Sequence, residues 1–505
     1  MRRDTYLLGL DNGGTLIKAA LFTLSGKEVA DASRSTEIIT PQSGWTERDM
    51  ETLWEQNAAC VQEVIARAGI KADAIAGVAV CGHGKGLYAW GKDGKPAYNG
   101  IISTDNRGWK FPETWKSEGT HALLYNRLCQ QFMACQQVSL LAWLRENDRK
   151  TYDTIKWAFS VTDYIRFRLT GEAASEATNI SGSGLMNVRD VRIDADILTS
   201  LGIPEVYEMI PPLCYSSDHC GIITKEAAEK TGLVKGTPVA GGMFDIDSCA
   251  IAMSVTKPED FCTITGTWTI NEFISKRPIT GTKIAMNSLY AIPGFFLIEE
   301  SSSTGAGNLE WVINNCFHNE LPLTGKKDYA YFDNMAACVP VDSCDVYFLP
   351  FLQGSNRHPL AKASFIGLTS FHTRAHLVRS VYEGVVYSAK THIDKLLSVR
   401  EKPAAVRMAG GAANSALWVQ MFADILELPI ETVTGVKELG ALGSAMAAAV
   451  AAGIYKDYTE AAAAMVRIAS PVYPEVKMCL KYQPKYEKYT KVCDALDKVW
   501  NCFEV

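Results

Sequence analysis

The sequence has 505 residues, and at roughly 150 residues per domain this length predicts two or three domains. Its 47% hydrophobic and 21% charged residues are typical of a globular protein and exclude a collagen-like, disordered or coiled-coil chain. The 56 Asp and Glu residues outnumber the 50 Lys and Arg residues, a net charge of −6, so we expect no general basic surface for nucleic acid or an anionic membrane.

The cysteines indicate a reducing compartment. Fourteen of them are scattered along the chain, and none belongs to a C-x-x-C pair. The nearest approaches to a cluster are three pairs with the same spacing: Cys129/Cys135, Cys214/Cys220 and Cys338/Cys344. We interpret the cysteines as buried, reduced thiols.

No segment has the length of a secretion signal or a membrane span. The apolar run at residues 6–10 is shorter than a signal-peptide core. The stretch of small apolar residues at 441–453 is shorter than a membrane-spanning helix. We therefore expect a cytoplasmic protein that does not enter a membrane.

The first predicted elements are strands. Residues 6–10 and 16–22 are apolar runs joined by the turn at residues 12–15. A helix is predicted over residues 50–68, with Thr46 and Asp49 as a capping-box-like start. Strands at residues 75–80 and 101–102 follow.

The second half repeats the opening pattern. Strands at residues 261–265 and 268–273 flank a Gly266-Thr267 turn that lies 252 residues after Thr15, which suggests two domains of related design. Further strands and helices then alternate, and this alternation predicts an α/β protein. The strands are predicted at residues 346–349 and 405–408, and the helices at 374–399, 416–426, 440–452 and within 474–505. We place the domain boundary near residue 250, giving domains 1–250 and 251–505.

The segment Asp11–Thr15, with Lys18 after it, has the composition of a phosphate-binding turn. Glycines let backbone N–H groups approach phosphate oxygens, and a carboxylate at a strand end can hold Mg²⁺ through water. An Asn-Gly turn is also common in plain hairpins, so a structural turn is the alternative. The matching turn at Gly266-Thr267 favours phosphate binding, because two opposed hairpins would grip a polyphosphate from both sides.

Two other glycine-rich segments carry candidate chemistry. Gly410 and Gly411 follow a strand and precede a helix, a suitable position for a nucleotide. The chain contains neither G-x-G-x-x-G nor G-x-x-x-x-G-K-[ST], which disfavours a Rossmann or P-loop protein. Gly241 and Gly242 precede Asp245. We predict that Asp245 is either a general base or a helix N-cap.

Taken in order, these segments resemble the FGGY carbohydrate kinases, and the resemblance covers nearly the whole chain. The most specific block is the C-terminal signature, formed by Ala363, Phe365, Gly367, Leu368, His376, Leu377 and Ser380 to Glu383. Other matching blocks are Gly44-Trp45-x-Glu47-x-Asp49, Asp105-x-Arg107, Asp163-Tyr164, Gly354 to Pro359, Gly410-Gly411 with Asn414, and Glu438-x-x-Ala441-x-Gly443-x-Ala445. The resemblance implies an ATP-dependent sugar or polyol kinase with two actin-like, ribonuclease-H-like domains and a cleft between them.

The resemblance also implies a role for each site residue. Asp245 would be the catalytic base, and Asp11 would help to hold Mg²⁺. Binding of ATP would involve Asn12, Gly13, Gly14, Thr15, Lys18, Gly266, Thr267, Gly307, Gly410, Gly411 and Asn414. The sugar would be bound by His83, Gly84, Lys85, Asp105 and Arg107 together with Asp245. A small-molecule sugar is the expected partner, and the family resemblance makes a homodimer an expectation too.

Departures from the family pattern concern the substrate. Where xylulokinases carry Q-M-H-G, this chain has His83 to Gly86, and Ser103 replaces the tryptophan of the W-x-D-x-R strand. This pattern is most similar to the bacterial L-xylulose kinase branch, so we expect phosphorylation of the terminal hydroxyl of an L-xylulose-like ketopentose. Lys85 would then donate to a sugar oxygen, or be a surface lysine, and His83 would contact sugar or be structural.

Three other functions are alternatives to this expectation. A kinase for erythritol or glycerol would share every catalytic residue. A non-catalytic sugar-binding regulator is disfavoured because Asp11, Thr15, Asp245 and Thr267 are present. A protein-remodelling ATPase is disfavoured by the sugar-side motifs.

Overall fold

A computed structural model describes residues 5–281, 284, 286–317 and 329–503. The chain forms two compact units whose segments alternate along the sequence. Unit 1 comprises residues 1–256, 274–298 and 435–467, and unit 2 comprises 257–273, 299–434 and 468–505.

The strands are short to medium in length. They are β1 Tyr6–Asn12, β2 Leu16–Thr23, β3 Glu28–Ser35, β4 Glu47–Arg48, β5 Ile75–Gly82, β6 Tyr88–Gly91, β7 Gly100–Ile101, β8 Ile155–Phe159, β9 Ser175–Glu176, β10 Met186–Asn187, β11 Arg192–Ile193, β12 Leu213–Cys214, β13 His219–Ile222, β14 Pro238–Ala240, β15 Met243–Phe244, β16 Cys262–Thr265, β17 Thr269–Ser275, β18 Met286–Leu289, β19 Phe296–Ser302, β20 Tyr347–Leu349, β21 Ser364–Ile366, β22 Val406–Ala409 and β23 Ile430–Thr432.

The helices alternate with these strands. They are α1 Met50–Ala68, α2 Lys110–Ser117, α3 Thr120–Leu128, α4 Gln137–Asn147, α5 Arg149–Tyr152, α6 Val161–Thr170, α7 Ala177–Ser181, α8 Ala195–Ser200, α9 Lys225–Thr231, α10 Asp245–Ala252, α11 Gly307–Cys316, α12 Tyr329–Ala337, α13 Arg374–Leu397, α14 Ala416–Leu426, α15 Leu439–Ala451, α16 Tyr458–Met465 and α17 Val476–Leu496. None of these helices is long and apolar enough to cross a membrane.

The central sheet of unit 1 has the strand order β13-β14-β5-β1-β2-β3, and β15 also pairs with β5. β1 runs parallel to β5 and antiparallel to β2. Most apolar side chains of β1 and β5 are buried, as expected for parallel strands covered on both faces, and Tyr6 and Ala76 near the strand starts are partly exposed. α1 packs against β2 and β3, whereas α15 packs against β1 and β5.

Close packing of α15 on β1 depends on Gly9. A Cβ at this position would lie 1.8 Å from the carbonyl oxygen of Ala441. The small residues of α15 therefore let its backbone touch that of the strand, although the helix comes more than 400 residues later in the chain.

The sheet of unit 2 places β19, β17, β16, β22 and β23 side by side in this order. β16 and β17 form an antiparallel hairpin, and β22 and β23 run parallel to β16. The long helix α13 packs against β20, and α17 packs against α14.

Most element predictions agree with the structure. The helices at residues 50–68 and 416–426 are confirmed at both ends. The helix predicted at 374–399 ends two residues earlier, at Leu397. The helix predicted at 440–452 begins and ends one residue earlier.

The cap of α1 differs from the sequence analysis, and the segments that make up unit 1 were not predicted. The start of α1 is capped by Asp49, whose side chain accepts the Thr52 N–H, whereas the Thr46 N–H donates to Asp105. The predicted capping-box role of Thr46 is therefore wrong. The sequence also gave no sign that residues 274–298 and 435–467 would pack into unit 1.

Candidate active site

The carboxyl ends of three parallel strands meet at one edge of the unit 1 sheet. On β5, Cys81 pairs with Asp11 of β1 on one side and with Met243 of β15 on the other. Ligands of open α/β sheets bind at this edge. Asp11 and Asp245 are close enough to Cys81 that, after burial, their charges raise the pKa of its thiol.

Asp11 lies in a charged group with Lys18 and Glu438. The Nζ of Lys18 is 2.8 Å from Glu438 Oε2, and Lys18 faces Asp11 across the β1–β2 hairpin. Burial raises the pKa of Asp11, Lys18 lowers it and Glu438 raises it. Burial alone would lower the pKa of Lys18, but the two carboxylates raise it above its usual value.

The Asp11 carboxylate is also in contact with the start of α15. A Cβ on Gly440 would lie 2.7 Å from Asp11 Oδ2. Among the described residues, no group of three or more His, Cys, Asp or Glu side chains is arranged to hold a metal ion.

Asp245 is the first residue of α10, and Phe244 occupies the N-cap position. The alternative that Asp245 is the helix N-cap is therefore wrong. Phe244 packs directly on Gly84, where a Cβ would lie 2.5 Å from the ring. The structure thus places Gly84 against the residue that precedes Asp245.

His83 is buried and neutral. Its Nδ1 is 3.2 Å from the Gly84 carbonyl oxygen and its Nε2 is 3.0 Å from the Tyr88 hydroxyl. Burial, followed by the charges of Arg48 and Lys85, lowers the pKa of His83 to about 3. This arrangement suits the tautomer in which Nδ1 donates to the carbonyl and Nε2 accepts from tyrosine.

Lys85 and Gly86 form a strained turn after β5. Lys85 has a φ of +64° and Gly86 a φ of +72°, and a lysine in this region is unusual. The turn is held by a hydrogen bond from the Gly86 N–H to the Cys135 carbonyl. Strain of this kind is concentrated at functional sites.

Arg107 belongs to a closed ion cluster. Its guanidinium donates to both oxygens of Asp105, to Glu47 Oε1 at 2.7 Å and to the Tyr98 hydroxyl. Burial alone would lower the pKa of Arg107, but its carboxylate partners raise it. The guanidinium also lies 4.2 Å from the centre of the Trp45 ring. A direct sugar contact of Arg107 or Asp105 stays a prediction.

The first glycine turn is supported by side chains from α1 and β4. The carboxamide of Asn12 exchanges two hydrogen bonds with Asn57, so this side chain is engaged within the protein. The Gly13 N–H donates to the Leu16 carbonyl, and Arg48 donates to the Gly14 carbonyl at 2.6 Å. Thr15 is exposed at the tip.

Arg48 is a residue that the sequence analysis missed. It is among the largest fully buried side chains, and its Nε and Nη1 make no hydrogen bond within the described part of the chain. In the sequence, Arg48 lies next to Glu47 inside the block Gly44-Trp45-x-Glu47-x-Asp49, which resembles the family pattern. This position was the signal that could have identified it.

Unit 2 contains a cavity of about 370 Å³. Five of the predicted cofactor residues line it, and these are Gly266, Thr267, Gly307, Gly411 and Asn414. Gly410 precedes the 3₁₀ turn Gly411–Asn414 with a φ of +90°. The Gly307 N–H donates to the Gly266 carbonyl, so three separate glycine segments converge here.

The other wall of this cavity was not predicted. Asp333 Oδ1 accepts from the Tyr382 hydroxyl at 2.6 Å and from Ser415 Oγ at 2.8 Å. The Tyr382 and Trp418 rings lie with centres 4.5 Å apart. Tyr382 lies in the C-terminal signature, which was a usable signal, whereas nothing in the sequence pointed to Asp333.

Comparison with known proteins identifies the family of this chain. The N-terminal domain model of the FGGY family of carbohydrate kinases matches residues 6–252, and the C-terminal domain model matches residues 262–452. The chain therefore belongs to the FGGY family of carbohydrate kinases. It is a sugar kinase, and its family membership implies ATP as phosphate donor.

Two curated relatives are similar over almost their full length. L-xylulose/3-keto-L-gulonate kinase of Escherichia coli is 34% identical over 97% of this chain and 97% of its own. Probable L-xylulose kinase of Haemophilus influenzae is 34% identical over 97% of this chain and 99% of its own.

Solved structures confirm the predicted fold of actin-like, ribonuclease-H-like domains. Ligand-bound xylulose kinase from Lactobacillus acidophilus has a TM-score of 0.89 at 23% identity, covering 99% of this chain and 100% of its own. Glycerol kinase from Plasmodium falciparum with ADP has a TM-score of 0.84 at 18% identity, covering 97% of this chain and 98% of its own.

Proposed function

We propose that this sugar kinase transfers the γ-phosphoryl group of Mg-ATP to the terminal hydroxyl of an L-xylulose-like ketopentose. The observation that carries the proposal is the meeting of Asp11, residues 83–85 and Asp245 at one sheet edge. The two L-xylulose kinase relatives support the choice of sugar.

The residues of unit 2 fit a nucleotide. The cavity places the turn residues Gly266 and Thr267 beside the Gly411–Asn414 turn, and glycines, which lack a side chain, let a phosphate come close to the backbone. Tyr382 and Trp418 supply aromatic surface for a base. We propose that Gly266, Thr267, Gly307, Gly410, Gly411 and Asn414 bind ATP here. Phosphate binding by Gly13, Gly14, Thr15 and Lys18 stays a prediction.

The residues of unit 1 fit Mg²⁺. Asp11 supplies a carboxylate at the strand end, and the neighbouring Lys18 offsets part of the negative charge. When bound, Mg²⁺ neutralises phosphate charge that develops during transfer. This chain would contribute one direct or water-mediated ligand, Asp11.

Asp245 is proposed as the general base. Its carboxylate takes the proton from the sugar hydroxyl while that oxygen bonds to the γ-phosphorus, and the bond from that phosphorus to the bridging oxygen of ADP breaks. Such help is worth roughly 10²–10⁴ in rate. The contact of Phe244 with Gly84 supports this proposal, because Phe244 directly precedes Asp245 in the chain.

A ketose that bears a carboxylate is the second candidate substrate. The relative from Escherichia coli is named for 3-keto-L-gulonate as well as L-xylulose. The buried Arg48 and the half-buried Lys85 both place positive charge near His83, and this charge favours an acidic sugar in a site of low dielectric constant.

ADP release with Mg-ATP tests both candidates. The panel contains L-xylulose, D-xylulose, L- and D-ribulose, 3-keto-L-gulonate, erythritol, glycerol and a sugar-free blank. We expect the highest kcat/KM with L-xylulose or 3-keto-L-gulonate. Turnover of erythritol or glycerol alone would replace the ketose by a polyol, and no turnover above the blank would overturn the proposal.

Asp245→Asn is the matching variant. We expect kcat to fall roughly 10²–10⁴-fold with a small change in KM. Asp247→Asn is the control, because Asp247 lies two residues further along α10 and its Oδ1 accepts the Ala291 N–H. Equal losses of kcat in both variants would contradict the assigned role.

The cellular setting and assembly state are also proposals. The cysteines of the described residues are free thiols, which supports a reducing cytoplasm. A homodimer is the assembly that we expect, and a mass from light scattering would test it.

A further inference from the structure

Glu176 is a fully buried residue whose carboxyl group collects hydrogen bonds from three other residues. It caps α7 by accepting the backbone N–H groups of Thr178 and Asn179 at 3.0 and 3.1 Å. The Thr178 hydroxyl, the Asn179 carboxamide and the Ser216 hydroxyl also donate to it. Burial raises the pKa of Glu176, and these hydrogen bonds act against the rise. A buried charge is costly unless it is hydrogen-bonded, so this set of donors is what a carboxylate needs here.

Thr178 carries the contact from Glu176 to the start of α10. Its hydroxyl donates to Glu176 Oε2 at 2.6 Å and accepts the Phe244 N–H at 2.8 Å. The shorter distance is typical of a hydroxyl that donates to a charged carboxylate. Because a hydroxyl has one proton, this donation turns a lone pair of Thr178 toward the Phe244 N–H. Phe244 is the N-cap of α10, so the residue directly before Asp245 is held through Thr178.

Ser216 holds the other end of the same turn. Its hydroxyl donates to Glu176 Oε1 at 2.8 Å, and its carbonyl accepts the Gly242 N–H at 3.1 Å. Gly242 has a φ of +81°, and a Cβ there would lie 2.1 Å from the Val80 carbonyl oxygen. The turn at residues 242–244 is therefore closely packed and is connected at both ends to one carboxyl group.

The turn is fixed from two sides. On one side, Met243 and Phe244 pair with Cys81 and Gly82 of β5. On the other side, Thr178 of α7 accepts the Phe244 N–H. Loss of the contact with α7 leaves the turn held by β5 and the Ser216 loop, so the start of α10 gains freedom to shift.

We propose that Glu176 and Thr178 are positioning residues for Asp245. They hold the backbone of residues 242–244 and thereby set where the Asp245 carboxylate lies relative to the sugar hydroxyl. The inference rests on the proposed function, in which Asp245 is the general base. Neither Glu176 nor Thr178 has to touch the sugar or ATP, because both act through the backbone.

Thr178→Val tests this link with little change in side-chain size. Valine leaves the Phe244 N–H without its acceptor and Glu176 Oε2 without one donor. A misplacement of about 1 Å costs roughly 10²-fold in rate. We therefore expect kcat with the preferred sugar to fall roughly 10- to 10²-fold, whereas the KM values for sugar and ATP should stay within a few fold of the parent.

Thr178→Ser is the rescue variant, because serine keeps the hydroxyl. Its kcat should return to within a few fold of the parent. An equal loss of kcat in Thr178→Ser and Thr178→Val would overturn the proposal, since the hydroxyl would then not be the group that matters.

Thr231→Val is the matched control for the loss of a buried hydroxyl. Thr231 is also fully buried in unit 1, and its hydroxyl donates to the Ala227 carbonyl at 2.7 Å and accepts the Leu233 N–H at 3.2 Å. The variant should lower the thermal unfolding temperature as Thr178→Val does and leave kcat unchanged. Equal losses of kcat in the two valine variants would overturn the proposal, because a general loss of stability would then explain both.

Hydrogen exchange gives a readout that needs no kinase activity. In Thr178→Val, the backbone amides of residues 242–246 should exchange faster than in the parent, because local opening becomes easier. In Thr178→Ser and Thr231→Val they should exchange as in the parent. Unchanged exchange of these amides in Thr178→Val would overturn the proposal.

Asp245→Asn separates this inference from the proposed function. Thr178→Val should lower kcat much less in the Asp245→Asn background than in the parent, because residues that act as a unit are not additive. A full further loss would overturn the positioning role and leave Asp245 as the base. Parent-like kcat in Asp245→Asn would overturn the base assignment, and the exchange result alone would then decide whether Thr178 holds the turn.

Discussion

Gly84 is the point where the turn at residues 83–86 touches Phe244, the last residue of β15, which directly precedes Asp245. Because a Cβ here would lie 2.5 Å from the Phe244 ring, Gly84→Ala must displace Phe244 and the start of α10. We expect kcat/KM to fall roughly 10²-fold, measured as ADP release with the preferred sugar.

Gly182→Ala is the control for this variant. A Cβ at Gly182 would have only ordinary contacts, at 3.5 Å from the Asn179 carbonyl and the Met286 side chain. It should leave kcat/KM within a few fold of the parent. If Gly84→Ala behaves in the same way, the contact with Phe244 does not position Asp245.

His83 makes stability depend on pH. Its folded pKa of about 3 lies below the unfolded value of about 6.5, so the unfolded chain takes up a proton first as pH falls. The contribution to stability is complete above pH 6.5 and is lost progressively toward pH 3. Between pH 7.5 and 5.5 this one group should cost about 1 kcal/mol of unfolding free energy.

His83→Asn removes the titrating group and tests this dependence. Urea unfolding at pH 7.5 and 5.5 should show a smaller loss of stability for the variant than for the parent. Equal losses would mean that His83 is not held neutral by its burial beside Arg48 and Lys85.

At the scale of elements, the start of α14 forms part of the candidate nucleotide cavity. Ser415 accepts the Trp418 N–H as the N-cap and donates to Asp333. Ser415→Ala should cost about 1 kcal/mol of stability. It should also raise the KM for ATP severalfold, because Asp333 loses a partner at the cavity wall.

Thr224→Ala is the matched control for the loss of a cap. Thr224 caps α9 by accepting the Ala227 N–H, and α9 lies in unit 1. The variant should cost a similar unfolding free energy without a change in the KM for ATP. A shared rise in KM would show that stability, not the cavity wall, controls nucleotide binding.

Elements with local signals were predictable from the sequence. The amphipathic pattern gave both ends of α1 and α14 because capping residues flank an apolar stripe. The glycine turns were predicted because their glycines are neighbours in the sequence. Asp333 was missed because its significance depends on Tyr382 and Ser415, which are distant in sequence. The closed state of the Arg107 cluster was missed for the same reason.

At the scale of the whole molecule, unit 1 is completed by residues 435–467, a segment near the C-terminal end of the sequence. α15 packs against β1, β5 and α10. We therefore expect residues 1–298 alone to be insoluble or unfolded, because β1 would expose apolar surface that α15 covers. Joining residues 435–467 to this fragment by a flexible linker should restore a cooperative unfolding transition.

Circular dichroism and thermal unfolding of the two fragments check this expectation. A fragment that ends at residue 298 and unfolds cooperatively would show that α15 is not needed for the core. Loss of the transition in both fragments would mean that unit 1 needs more of the chain than the segments assigned to it.

Because the segments of the two units alternate along the chain, unit 1 can be completed only late in synthesis. The ribosome finishes the first segment of unit 1 at residue 256 and the last at residue 467, 211 residues later. At about 5 to 20 residues per second, the early strands wait about 10 to 40 s for α15. During that interval the nascent chain presents an uncovered apolar sheet, so chaperone binding would be concentrated on the first half of the polypeptide.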